Sequence, residues 1–229
     1  MGLWAVIREK LIEELLTIQN EYPELQQAVL EDAIVLKGEL EFNLIDPDTG
    51  KPPIEDSYCI EITILFDFPD SIPKVKEVNK KIKRDYEHID KDGFLCLGFP
   101  SKVGKRITEN PTIEWFVDKI VKPNLFFYSF FKKYGYPPWR AHEFGGKGLF
   151  KHYATLLKTS KPYAILQLIG FRVFGNYDGH KHCPCGNGKK IMECHVVFMN
   201  QLWDIPVKWL KKDFKYMLRD YFRYYKRNF

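Results

Sequence analysis

The sequence predicts an α+β fold: an N-terminal helix, an antiparallel meander sheet, and helices in the C-terminal part. Three observations carry this. Leu3, Ile7, Leu11, Leu15 and Ile18 recur at helical spacing, with charged residues on the opposite face. Residues 36–44 and 58–68 then alternate apolar and polar with a period of two. From residue 112 onward helical spacing returns.

The elements follow in order. After the first helix Pro23 breaks the chain, and a helical pattern resumes briefly over Glu24 to Leu30. Leu36, Gly38, Leu40, Phe42 and Leu44 alternate with Lys37, Glu39, Glu41 and Asn43, as in a half-buried strand. "DPDTGKPP" is a long turn. Tyr58, Ile60, Ile62, Ile64, Phe66 and Phe68 give a second strand, with Cys59 on its opposite face. "FPDSIPKVKEV" opens with pairing breakers and offers a third strand over Val75 to Val78. No strand pattern returns after Cys96. "TIEWFVDKIVKPNLFFYSFFKKYG" reads as helix, kinked or divided by Pro123. "GKGLFKHYATLLKT" and "PYAILQLIGFRVF" are further helices, the latter with proline in its first turn. The expected organisation is a domain over 1–174, a metal-binding module over 175–200, and a basic aromatic helix over 201–229.

Composition narrows the function classes. Hydrophobic residues make up 45% and charged residues 28% of the 229, enough for a buried core and against wholesale disorder. The longest apolar run, "NLFFYSFF", is too short to span a bilayer. The opening residues are interrupted by charge from Arg8 onward, unlike a signal peptide. A cytoplasmic protein without membrane partners is therefore expected. Net charge is +5, with Lys and Arg crowded after residue 207 against Asp213 and Asp220 alone. Such a tail suits nucleic acid or an anionic membrane, or else is the solvated face of an amphipathic helix; the last reading is adopted.

The five cysteines fall unevenly. Cys59 and Cys96 stand alone, whereas Cys183, Cys185, Cys194 and His195 crowd into "CPCGNGKKIMECH". Three thiolates and an imidazole satisfy structural Zn2+ tetrahedrally, leaving no open position. Gly186 and Gly188 permit the turn that folds the second ligand pair back onto the first. His180 and His182 lie near enough in sequence to compete as ligands. Zinc modules that read RNA usually carry aromatics between ligands, and Ile191 and Met192 argue against nucleic acid.

These thirteen residues resemble the SEC-C motif, with Asn187 where serine is common. The resemblance implies zinc and a docking surface for protein partners. A second resemblance runs over about residues 1 to 135. Helix, meander, "FPDSIPKV", a polar loop and then "GFLCL" resemble the ubiquitin-conjugating enzyme (UBC-like) fold, whose thioester-forming cysteine would be Cys96. The family's His-Pro-Asn tripeptide would fall on Tyr86, Glu87 and His88. His88 thus takes the position of the oxyanion-stabilising asparagine, where it can donate a hydrogen bond or act as a base. Bacterial relatives of that fold, in ubiquitin-like and anti-phage signalling operons, often lack the tripeptide. His142, in "PPWRAHEFGGKG", is a candidate Cys–His partner of Cys96; the alternative is a loop that packs Trp139 and exposes the histidine.

The resemblance implies an acyl carrier. The donor would be the C-terminal glycine of a ubiquitin-like protein or a signalling enzyme, loaded by an activating enzyme onto Cys96 and passed to an amine of a protein acceptor. A non-catalytic zinc-containing adaptor is the competing expectation, and a nucleic-acid binder the third. Lys91, Lys102, Lys105 and Arg106 are candidates to lower the thiol pKa.

Overall fold

The computed structural model describes residues 3–139 and 145–227, with side chains over 8–139 and 145–223. It is α+β, with a four-stranded antiparallel sheet and several helices. The chain divides into two compact units, one of residues 1–98 with 106–141, the other of 99–105 with 142–229. The expected boundaries after residues 174 and 200 both fall within the second unit.

In the first unit, helix α1 (Leu3–Glu21) buries Leu11, Leu15 and Ile18. The side chains of Leu3 and Ile7 lie outside the described residues. Strands β1 (Leu25–Val29), β2 (Ala33–Leu44), β3 (Ile54–Leu65) and β4 (Lys74–Glu77) pair in sequence order. The two-residue alternation places Leu36, Leu40, Phe42, Tyr58, Ile60, Ile62 and Ile64 in the core. The second strand begins earlier than its alternation suggests, at Ile54, and ends at Leu65. Phe66 and Phe68 lie beyond it, Phe68 still buried.

The segment over Glu24 to Leu30 is a strand, not a resumed helix. It holds one deeply buried residue, Leu25, and owes its conformation to pairing with β2, in the register Leu25↔Gly38 to Val29↔Ile34. Gly38 permits that approach: at its φ of 155° a Cβ would lie 1.9 Å from the Glu24 carbonyl oxygen.

Helix α2 (Pro100–Glu109) begins in the second unit and ends in the first. Pro123 divides the following helix by a register change. α3 (Ile113–Phe116) passes into a π segment (Val117–Val121), and α4 (Lys122–Tyr134) starts with the proline in its first turn. Pro123 has no N–H to offer the Lys119 carbonyl four residues back. Arg106 Nη2 donates to that carbonyl instead, at 3.0 Å. α4 lies on the sheet, where Ser129 Oγ is 2.6 Å from Tyr58 Oη and donates to Asp56 Oδ2 at 2.7 Å.

The second unit is helical. α5 (Gly145–Leu157), α6 (Pro162–Phe174), α7 (Val196–Trp203) and α8 (Val207–Arg227) surround Leu149, Tyr153, Ile165, Leu168, Met199 and Trp209. α8 is the expected amphipathic helix. Trp209, Leu210, Asp213 and Met217 are buried, while Lys211, Lys212, Lys215, Arg219 and Arg223 are exposed. Asp213 is an exception on the buried face, accepting the Ser101 N–H at 3.2 Å and the Tyr153 hydroxyl at 2.8 Å. Among the described residues no helix is long and apolar enough to cross a membrane.

Candidate metal centre and cysteine loop

The metal cluster is built by a short chain reversal between α6 and α7. Gly186 and Gly188 have φ of 76° and 79°, the left-handed region that glycine enters without steric cost. The Cys183 N–H donates to the Lys189 carbonyl at 2.8 Å and the Ile191 N–H to the Lys181 carbonyl at 3.0 Å, closing the turn. The 3-10 turn Ile191–Glu193 then delivers Cys194 and His195, and buried Ile191 anchors it. Lys161 Nζ ties the turn to α6 through the Cys185 carbonyl at 2.6 Å.

The four ligand atoms all lie within 4.8 Å of one another. His195 Nδ1 is 2.9 Å from Cys194 Sγ and 3.2 Å from Cys183 Sγ, and the Cys185 and Cys194 sulfurs are 3.6 Å apart. Tetrahedral bonds of about 2.0–2.3 Å require ligand separations of the same order. His180 and His182 are exposed and are not part of this cluster.

The electrostatics point the same way. Burial, chiefly, together with the neighbouring thiols, pushes the Cys183 thiol up to about 12. Burial also raises Cys185, but the Asn187 N–H, the two other thiols and Lys161 outweigh it, and its net shift is downward. Thiols this close do not ionise together unless a cation sits among them. A divalent metal is the cation that three thiolates and an imidazole fit, and Cys183, Cys185, Cys194 and His195 lie close enough together to bind one.

The second candidate region is the loop from Val78 to Gly98, beyond the edge strand β4. Its two ends are held by backbone pairing. The Leu95 N–H donates to the Val75 carbonyl at 2.8 Å and the Glu77 N–H to the Gly93 carbonyl at 2.8 Å. The Cys96 N–H donates to the His88 carbonyl at 2.9 Å, so the loop sets these two residues side by side along the backbone. The His88 ring packs against Tyr86, with centroids 5.4 Å apart, and Phe127, at 5.7 Å. Cys96 is half-buried. Burial raises its thiol pKa, with the Gly98 N–H acting in the opposite direction. Cys59 sits on β3 opposite Glu39 of β2.

Trp139 stacks on Phe126 at 5.8 Å and meets Phe127 edge-on at 5.3 Å, yet keeps 44% of its surface exposed. His142 lies outside the described residues. Sequence inspection did not single out Glu77 and Arg84, an ion pair between a buried carboxylate and a half-buried guanidinium at the root of the cysteine loop. Alternation puts Glu77 on the same buried face as Val75, but a carboxylate at the end of so short a strand reads as a surface charge, and its partner comes seven residues later in a polar run.

No family model, no curated protein and no solved structure matches this chain.

Proposed function

We propose that this chain is an acyl carrier of the ubiquitin-conjugating type, with Cys96 the thioester-forming residue and the Cys/His cluster a structural zinc site that supports a partner-binding module. One observation carries the reading: the Cys96 to His88 backbone bond, on a loop that follows a helix and a four-stranded meander and precedes further helices. The order of elements supports the UBC-like resemblance of "FPDSIPKV" and "GFLCL".

In the proposed reaction the Cys96 thiolate attacks the donor's terminal glycyl carbonyl. A new C–S bond forms, the donor's bond to its leaving group breaks, and that group departs with its electron pair. An acceptor amine then attacks the thioester. The C–N bond forms, the C–S bond breaks, and the Cys96 sulfur leaves as thiolate and recovers the amine's proton. A raised thiol pKa suits a carrier whose thioester must survive until an amine is presented, because a more basic thiolate is the poorer leaving group. His88 would contribute a hydrogen bond to the oxyanion or accept the amine proton. The donor class is a ubiquitin-like protein or a signalling enzyme with its activating enzyme, in a bacterial conjugation or anti-phage setting.

Cys96 burial also favours a second reading, a non-catalytic adaptor in which this fold and the zinc module both bind protein. Loading with the native donor and activating enzyme separates the two. The carrier forms an adduct cleaved by thiol reductants, Cys96→Ser converts it to a reductant-stable oxyester or abolishes it, and Cys59→Ser leaves it unchanged. Equal loading of Cys96→Ala and wild type overturns the carrier reading in favour of the adaptor.

A further inference from the structure

We infer that Glu77 and Arg84 act as a positioning pair for the cysteine loop, setting where Cys96 and His88 stand relative to each other. The functional consequence rests on the carrier reading, but the geometry does not.

Glu77 closes β4 and is fully buried, which for a carboxylate requires complete pairing. Arg84 Nη1 donates to Glu77 Oε2 at 2.9 Å, and the Lys81 N–H to Oε1 at 3.0 Å. The same guanidinium donates through Nη2 to the Glu77 carbonyl oxygen at 2.9 Å. One residue therefore holds the descending limb of the loop by its side chain and the returning limb, at Gly93, by its N–H. Gly93, at φ 93°, fits against the pair: a Cβ there would lie 2.7 Å from the Glu77 oxygen and 2.8 Å from Arg84 Nη2. Lys81 adds a second tether on the descending limb, its Nζ 2.5 Å from Asp56 Oδ1 and 2.6 Å from the Ser57 carbonyl. His88 lies between the two held limbs and Cys96 three residues past Gly93.

An ion pair with only its carboxylate fully buried is weak evidence of stability, since apolar residues of similar volume often replace even wholly buried pairs without loss. What such a replacement cannot reproduce is the fork, which grips a carboxylate and a carbonyl together. The pair therefore fixes loop geometry more than it stabilises the unit. A misplacement of about 1 Å between reacting groups costs on the order of 100-fold in rate.

Two variants test this: Arg84→Lys, which keeps the charge and loses the fork, and Glu77→Leu with Arg84→Met, which removes both charges. Each is checked for a native thermal transition. The first readout needs no partner. Iodoacetamide alkylation of Cys96 is followed by peptide mass spectrometry as a function of pH. Release of the loop lessens the burial of the thiol, so the midpoint should fall in both variants, less in Arg84→Lys. A wild-type midpoint in folded variants overturns the inference. The second readout charges Cys96 by exchange with a small glycyl thioester and measures aminolysis by free lysine. The variants should load normally and transfer at least about ten-fold more slowly, whereas simple loss of folded protein lowers both steps together. Should wild type transfer no faster than the free glycyl thioester, the carrier reading fails while the alkylation result still decides the positioning role.

Discussion

Gly104→Ala should destabilise the second unit, although alanine is the better helix former. Gly104 sits inside α2 against Trp209 of α8, which is fully buried. A Cβ built at Gly104 would lie 2.2, 2.3 and 2.6 Å from three atoms of the indole. Carbon atoms pack best at about 3.5–4.0 Å, so the methyl group is more than about 1 Å too close to a ring that has no solvent to swing into. Overpacking of a tight core costs about 1–3 kcal/mol, and this contact belongs at the upper end. The gain in helix propensity offsets about 1 kcal/mol of that. The net loss is about 2 kcal/mol, a drop on the order of 10 °C for a unit of this size. Urea unfolding followed by tryptophan fluorescence measures it. The double variant with Trp209→Leu should show positive coupling, the alanine costing less once the ring is gone. A neutral or stabilising Gly104→Ala, or a double variant whose losses simply add, refutes the packing argument.

Metal analysis of protein purified without added zinc should give about one zinc per chain. Cys183→Ser with Cys185→Ser should abolish it while the first unit keeps its thermal transition, and full retention in that variant sinks the assignment. Asp213 predicts a pH dependence. Burial raises its pKa, so the folded chain holds that proton to higher pH than the unfolded chain does. Its contribution is complete below the unfolded value of about 3.9 and is lost as pH rises through the folded value. Asp213→Asn should remove that downward slope in urea-derived stability; parallel slopes in the two proteins would contradict it. His88→Ala should slow aminolysis of loaded Cys96 by about ten- to a thousand-fold and spare loading, as read by single-turnover discharge. Charge reversal at Lys211, Lys215 and Arg219 should leave oligonucleotide binding weak and unchanged. Tight, salt-sensitive binding that the reversal abolishes would revive the nucleic-acid reading. Deleting α8 cannot serve for that test, because Trp209, Leu210 and Met217 are core residues.

The sequence by itself determined whatever depends on near neighbours. Alternation over 36–44 and 58–64 assigned the buried face of β2 and β3, because a pleated strand sends successive side chains to opposite faces. The Cys/His cluster close enough to bind a metal was legible for the same reason. Its ligands lie between Cys183 and His195, and the glycines that reverse the chain stand among them. Only the tertiary structure decided features whose partners are distant or whose pattern is weak. β1 has no alternation of its own and is a strand because β2 offers an edge, with Gly38 admitting it. Pro123 announced a break, but the repair uses the Arg106 side chain from another helix. Asp213 looked like a stray acid in a basic tail until α2 and α5 supplied Ser101 and Tyr153 around it. Cys96 and His88 could be named only through the resemblance of "FPDSIPKV" and "GFLCL" to the ubiquitin-conjugating fold. The burial that raises the thiol pKa, and the Glu77–Arg84 pair at the loop's root, come from packing that brings separate segments together, which local periodicity does not encode.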